Sequence, residues 1–102
     1  MRPLGIAFSS TFVLNNGLQK TPRVSVMLDE RAHRIGFRFH TDENDADSFS
    51  LVADGANKAG RWFQSKHLYV HFPWLGAVLK RPPQERRFPP RRNQGIWFIE
   101  VP

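Results

Sequence analysis

Arg23-Val24-Ser25-Val26-Met27-Leu28-Asp29, separated by Glu30-Arg31-Ala32-His33 from Arg34-Ile35-Gly36-Phe37-Arg38-Phe39-His40, is the stretch on which the fold turns. Val24, Val26 and Leu28 fall on alternate positions, as do Ile35, Phe37 and Phe39, and a period of two is the signature of a strand with one face buried. Two such runs joined by four residues read as an antiparallel hairpin. The expectation is that Val26, Leu28, Ile35 and Phe37 are buried, with Arg34, Gly36 and Arg38 on the opposite face.

Upstream, Ile6 to Leu14 is β-branched and aromatic enough for a strand, and Asn15-Asn16-Gly17 has the chemistry to end it. Leu18 to Thr21 leave room for one helical turn before Pro22 restricts Thr21 and starts the hairpin. Downstream, Thr41 to Asp47 holds four acids in seven residues without periodicity and reads as a surface connection. Ser48 to Asp54 alternates as a strand and Gly55 to Gly60 follows as a loop. Ser65 stands where it would cap a short helix over 65–72, with Leu68 and Phe72 on one face, and Pro73 would stop it. Trp74 to Leu79 continues as a buried segment, and Ile96 to Val101 closes the chain as a strand. Between them, Lys80 to Gly95 carries two proline pairs, Pro82-Pro83 and Pro89-Pro90, which leaves an edge strand, a long loop or a mobile arm.

These elements add up to an α+β fold of about six mainly antiparallel strands and one short helix (65–72), in one domain over 1–102 with a basic, proline-rich arm at 80–95. The order strand, turn or helix, extended segment, aromatic strand occurs twice, which predicts pseudo-repeated halves at 1–41 and 48–102. With Phe12-Val13-Leu14-Asn15 as an entering strand and Val24 to Phe39 as the hairpin, residues 6–39 resemble the AbrB-type swapped-hairpin unit of bacterial transcription regulators. That resemblance implies a regulatory, DNA-associated role, although residues 15–22 lack the longer helix with small and basic residues that those regulators carry. The run Val24 to Phe39 also resembles small uncharacterised bacterial proteins.

With 102 residues, 40% of them apolar and 13% aromatic, the chain can bury a core of its own and has room for one domain. No cysteine is present, so disulfides and thiolate metal sites are excluded and a reducing compartment is the natural setting. The start lacks the apolar run of a signal peptide, and no stretch approaches the ~20 apolar residues that cross a bilayer. The expected location is therefore cytoplasmic, with no membrane partner.

Several catalytic and metal-binding patterns are approached but not completed. Gly55-Ala56-Asn57-Lys58-Ala59-Gly60 has the two glycines of a phosphate-binding loop, but Arg61-Trp62 stands where Lys and Ser/Thr are required. His67 and His71 are four apart on the expected helix and lack a third ligand and a neighbouring glutamate. Asp42, Asn44 and Asn57 are oxygen donors without the glycine and glutamate of a calcium loop. No cysteine nucleophile or Gly-x-Ser-x-Gly elbow occurs. The chain reads as a binding protein without metal or small-molecule cofactor, not as an enzyme.

Charge points to a partner. The formal net charge is +6, and residues 1–60 balance seven Lys/Arg with seven Asp/Glu, whereas 61–102 set eight Lys/Arg against Glu85 and Glu100. Guanidinium groups grip phosphate through paired hydrogen bonds, and aromatic rings stack on unpaired bases. Arg61, Lys66, Lys80, Arg81, Arg86, Arg87, Arg91 and Arg92, interleaved with Trp62, Phe63, Phe88 and Trp97, are thus the candidate contacts to DNA or RNA. The competing reading is an interaction module that pairs two copies of the chain or docks another protein.

Overall fold

The computed structural model describes residues 1–55 and 57–102, with Asn57 and Lys58 described by their backbone alone. The hairpin is its centre. β2 (Arg23–Asp29) and β3 (Arg34–His40) pair antiparallel with Val26 opposite Phe37 and Leu28 opposite Ile35. Val24, Ile35 and Phe37 are fully buried, whereas Val26 and Leu28, expected to be buried, lie nearer the rim and are only partly covered.

On the far side of β3 runs β8 (Ile96–Glu100), and β7 (Arg91–Asn93) forms the edge beyond it. β4 (Phe49–Ser50) closes the opposite edge, so the large sheet reads β4-β2-β3-β8-β7. A smaller sheet, β1-β6-β5, is built from β1 (Gly5–Phe8), β6 (Asn57–Gln64) and β5 (Val52–Asp54). Phe8 and Phe63 of the small sheet meet Phe37 of the large one at ring-centroid distances of 5.0 and 6.4 Å, which fills the space between the two layers with aromatic rings. The architecture is α+β, with two antiparallel sheets and three short helices among the described residues.

Four expectations need correction. First, the strand read over 6–14 stops at Phe8, and Ser10–Asn15 form a helix, α1. Ser9 is the cause: its Oγ accepts the otherwise unpaired Phe12 amide at 3.2 Å and turns the chain, which brings Phe12 back against Phe8 and buries Val13. Phe12 to Asn15 are therefore helical and do not enter the hairpin as a strand. Second, 48–54 is two strands in two sheets. The chain crosses at Leu51, whose amide bonds the Pro22 carbonyl at 2.8 Å.

Third, the loop expected over 55–60 is largely strand, since β6 begins at Asn57 and Gly60 is buried within it; Ala56 lies outside the described residues. Fourth, the single helix over 65–72 is a pair, α2 (Lys66–His71) and α3 (Pro73–Val78). Pro73 does not end a helix but begins one, because the first helical position needs no amide donor and favours its fixed φ. Ser65 occupies the cap position of α2 without a side-chain capping bond. Gly76 lets the two helices close up: a Cβ there would lie 2.9 Å from the Tyr69 carbonyl oxygen. Leu68, Leu75 and Val78 are buried, and Ala77 of the expected buried segment is exposed.

The arm at 80–95 takes the edge-strand form. After a 3₁₀ turn at Pro83–Glu85, β7 pairs with β8 through a two-residue turn in which Gln94 and Gly95 both have positive φ, 52° and 82°. That is the turn whose twist matches paired strands.

The element order of residues 5–40 (β1, α1, 3₁₀ turn, β2, β3) returns in residues 57–100 (β6, α2 with α3, 3₁₀ turn, β7, β8). β1 pairs antiparallel with β6 and β3 with β8, so strands in like places of the two orders meet in both sheets. The strand expected to open the second half, at 48–54, is instead the connection; its place is taken by β6.

The acidic stretch is pinned to that connection by one side chain. Arg23 donates to Ser48 Oγ, Ser50 Oγ and the carbonyls of Asp45 and Ser48, at 2.5 to 3.2 Å. No helix among the described residues is long and apolar enough to cross a membrane.

Candidate nucleic-acid interface

The eight basic residues singled out from the sequence fall on different parts of the molecule. Arg61, on β6, turns its Nη1 onto the carbonyls of Ala59 and Gly60 at 3.3 and 2.9 Å. Lys66 is exposed at the start of α2, and Lys80 is exposed just beyond α3. Arg81 reaches the Pro102 carbonyl, and its own carbonyl accepts Arg86 Nε at 2.7 Å. These bonds shape the approach to β7.

On β7 itself, alternation sends neighbouring arginines to opposite faces. Arg91 is opposite Phe98 on the outer face of the large sheet, where Arg34 lies 5.4 Å over the Phe98 ring and pairs with Glu100 at 3.1 Å. Arg92 is opposite Trp97 on the inner face, with its guanidinium 5.7 Å over the indole ring. Trp97 in turn meets Phe12 edge to face at 4.8 Å. The indole is half-buried, neither core nor free surface.

Two hollows flank the Phe12–Trp97 pair. The larger, of about 710 Å³, runs beneath residues 86–90 and is lined on one side by Arg86, Arg87 and Phe88 and on the other by Arg2, Phe8 and Phe12. The smaller, of about 370 Å³, is lined by Asn15, Asn16, Phe39, Arg92 and Trp97 among others. Guanidinium groups thus stand at both hollows with aromatic rings between them. The Met1 amine at the larger one is pushed down to about 6, first by burial and then by the charges of Arg86, Arg2 and Arg87. One carboxylate faces this charge, that of Asp54, ion-paired with Arg2. Among the described residues no Asp or Glu carboxylate comes within ion-pairing distance of Lys80, Arg81, Arg86, Arg87, Arg91 or Arg92.

No family model, no curated protein and no solved structure matches the chain. What the site can do follows from its own residues.

Ser25, His40 and Asp45 come together in the manner of a nucleophile and its base, with Ser25 Oγ 2.8 Å from His40 Nε2. The tautomer is the wrong one. His40 Nδ1 accepts the Asp42 amide at 3.1 Å, which leaves the ring proton on Nε2, so that nitrogen donates toward Ser25 and cannot take its proton. Asp45 approaches the same Nε2, at 3.7 Å, and not Nδ1. The set is a hydrogen-bonded brace for the acidic connection.

His67 and His71 do stack along α2 with ring centroids 5.6 Å apart, and among the described residues no group of three His, Cys, Asp or Glu gathers to hold a metal. Asp42 and Asp45 spend their oxygens on the Asn44 and Asp47 amides as turn caps. The Asn57 side chain lies outside what is described.

Sequence reasoning missed Arg2, Phe8 and Phe12 as partners of the basic arm. A readable signal existed for the last two, since Ser9 as a helix cap places Phe12 beside Phe8. Arg2 had none, because it meets Arg86 and Arg87 only through the tertiary fold.

Proposed function

We propose that the protein binds single-stranded nucleic acid along the edge formed by residues 86–97. The observation that carries this reading is the Arg92–Trp97–Phe12 cluster with a basic hollow on either side. A half-buried indole beside a guanidinium offers an unpaired base a surface to stack on, and arginines at the hollows on both sides supply phosphate contacts. Among the described residues the six basic residues at 80–92 have no Asp or Glu partner, which supports it, since an arginine set used for stability would be expected to find acids of its own chain.

The test is a titration of the protein against single-stranded DNA, single-stranded RNA and duplex DNA over a salt series, followed by fluorescence of the tryptophans. Binding to single strands should dominate and weaken log-linearly with salt as counterions are released, with a slope of roughly 0.7 per phosphate neutralised. Absence of affinity for any of the three at low salt, together with salt-indifferent self-association, would replace this reading by that of an interaction module pairing two copies of the chain.

A further inference from the structure

The larger hollow differs from an open groove. Its inner wall includes Ile6, Phe37 and Ile99, side chains that belong to the buried core, so it ends blind against the centre of the molecule. A strand cannot run through such a space, but one of its ends can enter. We propose that this cleft holds the terminal nucleotide of a strand, with its phosphomonoester gripped by Arg2, Arg86 and Arg87 and its base laid among Phe8, Phe12 and Phe88.

A volume of about 710 Å³ lies within the range of small-ligand sites. The charge match is specific to a phosphate end. A monoester carries about −1.5 to −2 near neutral pH and offers three acceptor oxygens, against a single charge on an internal diester. Three arginines lining one space suit the former. Two of them keep donors uncommitted. Arg87 is exposed and makes no hydrogen bond or ion pair among the described residues, and Arg86 commits its Nε to the Arg81 carbonyl, which fixes the side chain and leaves its terminal amino groups. Pro89 and Pro90 line the cleft without amide donors, so the arginines carry the anion. Before a ligand enters, Asp54 holds Arg2; an incoming phosphate takes that place.

The inference rests on the single-strand reading for the origin of the nucleotide, but the same chemistry is presented by a free mononucleotide. The experiment separates the two sources. Four probes are titrated at low salt by calorimetry and amide NMR: a short oligonucleotide with a terminal phosphate, the same strand with hydroxyl ends, a free nucleoside monophosphate, and inorganic phosphate. The expected result is about tenfold tighter binding of the phosphorylated strand than of its hydroxyl form. Shifts at Ala7, Arg87 and Phe88 should appear with the phosphate end alone.

Arg87→Gln, at an exposed position without a hydrogen bond or ion pair among the described residues, should remove the tenfold preference with the melting temperature unchanged, while the hydroxyl strand, which also loses one phosphate contact, weakens by only about threefold. Equal affinity for phosphorylated and hydroxyl strands would overturn the cleft and spare the nucleic-acid reading. Mononucleotide binding at the cleft without affinity for any strand would place the source in free nucleotides and overturn the strand reading. Response to inorganic phosphate equal to that for the nucleotide would remove the base from the site and overturn the assignment.

Discussion

Residues 5–40 and 57–100 build a similar order of elements, yet their hairpins differ in length, place in the sheet and charge. In the first, β2 and β3 are seven residues each, lie in the middle of the large sheet and are flanked by balanced charge. In the second, β7 has three residues, stands at the edge and follows two proline pairs and an excess of arginine. A central hairpin is constrained on one face by the core and along both edges by neighbouring strands. An edge hairpin is free to spend its residues on a ligand. The buried hairpin thus holds the fold, and the exposed one is available for binding.

The largest effect should come from the shared core. Phe37 and Phe63, one from each segment, are fully buried in contact with one another, and replacing either by Ala should lower stability by ~3–5 kcal/mol through loss of burial and cavity formation. The double variant should lose less than the sum, because neighbours that share a cavity couple. Urea melts would measure both. Two separate transitions in the wild type would show that the segments are independent units, and the contrast between their hairpins would then say nothing about one fold.

Next is the division of labour. Replacing Arg86, Arg87, Arg91 and Arg92 by Gln should weaken single-strand binding by about a hundredfold at low salt and flatten the salt slope by roughly 0.7 for each phosphate no longer neutralised. The same change at Lys20, Arg31, Arg34 and Arg38 of the first segment should leave affinity nearly unaltered. Equal losses from the two sets would mean that net charge, and not the edge, does the binding.

A smaller effect tests the turn of the second hairpin. Gly95 has a φ of 82°, where a side chain is strained, so Gly95→Ala should cost about 1–2 kcal/mol and loosen β7 first, as faster amide exchange at 91–93. The smallest concerns a tie between the segments. Tyr69 of α2 donates its hydroxyl to the Gly5 carbonyl of β1 at 2.6 Å, and burial pushes the phenol up to about 12. Since the unfolded chain ionises near 10, the contribution of this neutral phenol is intact below pH 10 and falls away as pH rises from there toward 12. A stability profile of Tyr69→Phe should lack that decline.

The β2–β3 hairpin was legible because Val24, Val26, Leu28 and Ile35, Phe37, Phe39 alternate without interruption over a length that admits one register. α1 was not, because Phe12, Val13 and Leu14 have strand-like side chains and a single serine hydroxyl decides against them. The break at Leu51 depends on a hydrogen bond to Pro22, far away along the chain, which no local pattern reveals. β6 was hidden by Gly55 just before it and Gly60 within it, which read as a loop until a neighbouring strand is there to pair with. For the site, composition pointed to the basic arm but not to its geometry. Alternation along β7 separates Arg91 from Arg92, and the cleft exists only where residues 2–12 fold against 86–90.

The pairing of β1 with β6 and of β3 with β8 has a practical consequence. The covalent path between the two segments runs through the exposed, acidic residues 41–47, and no sheet hydrogen bond depends on the chain being continuous there. A cut in that stretch should leave two pieces that need each other to cover Phe37 and Phe63 and that re-form both sheets on mixing. The fold should in this sense behave as a split protein.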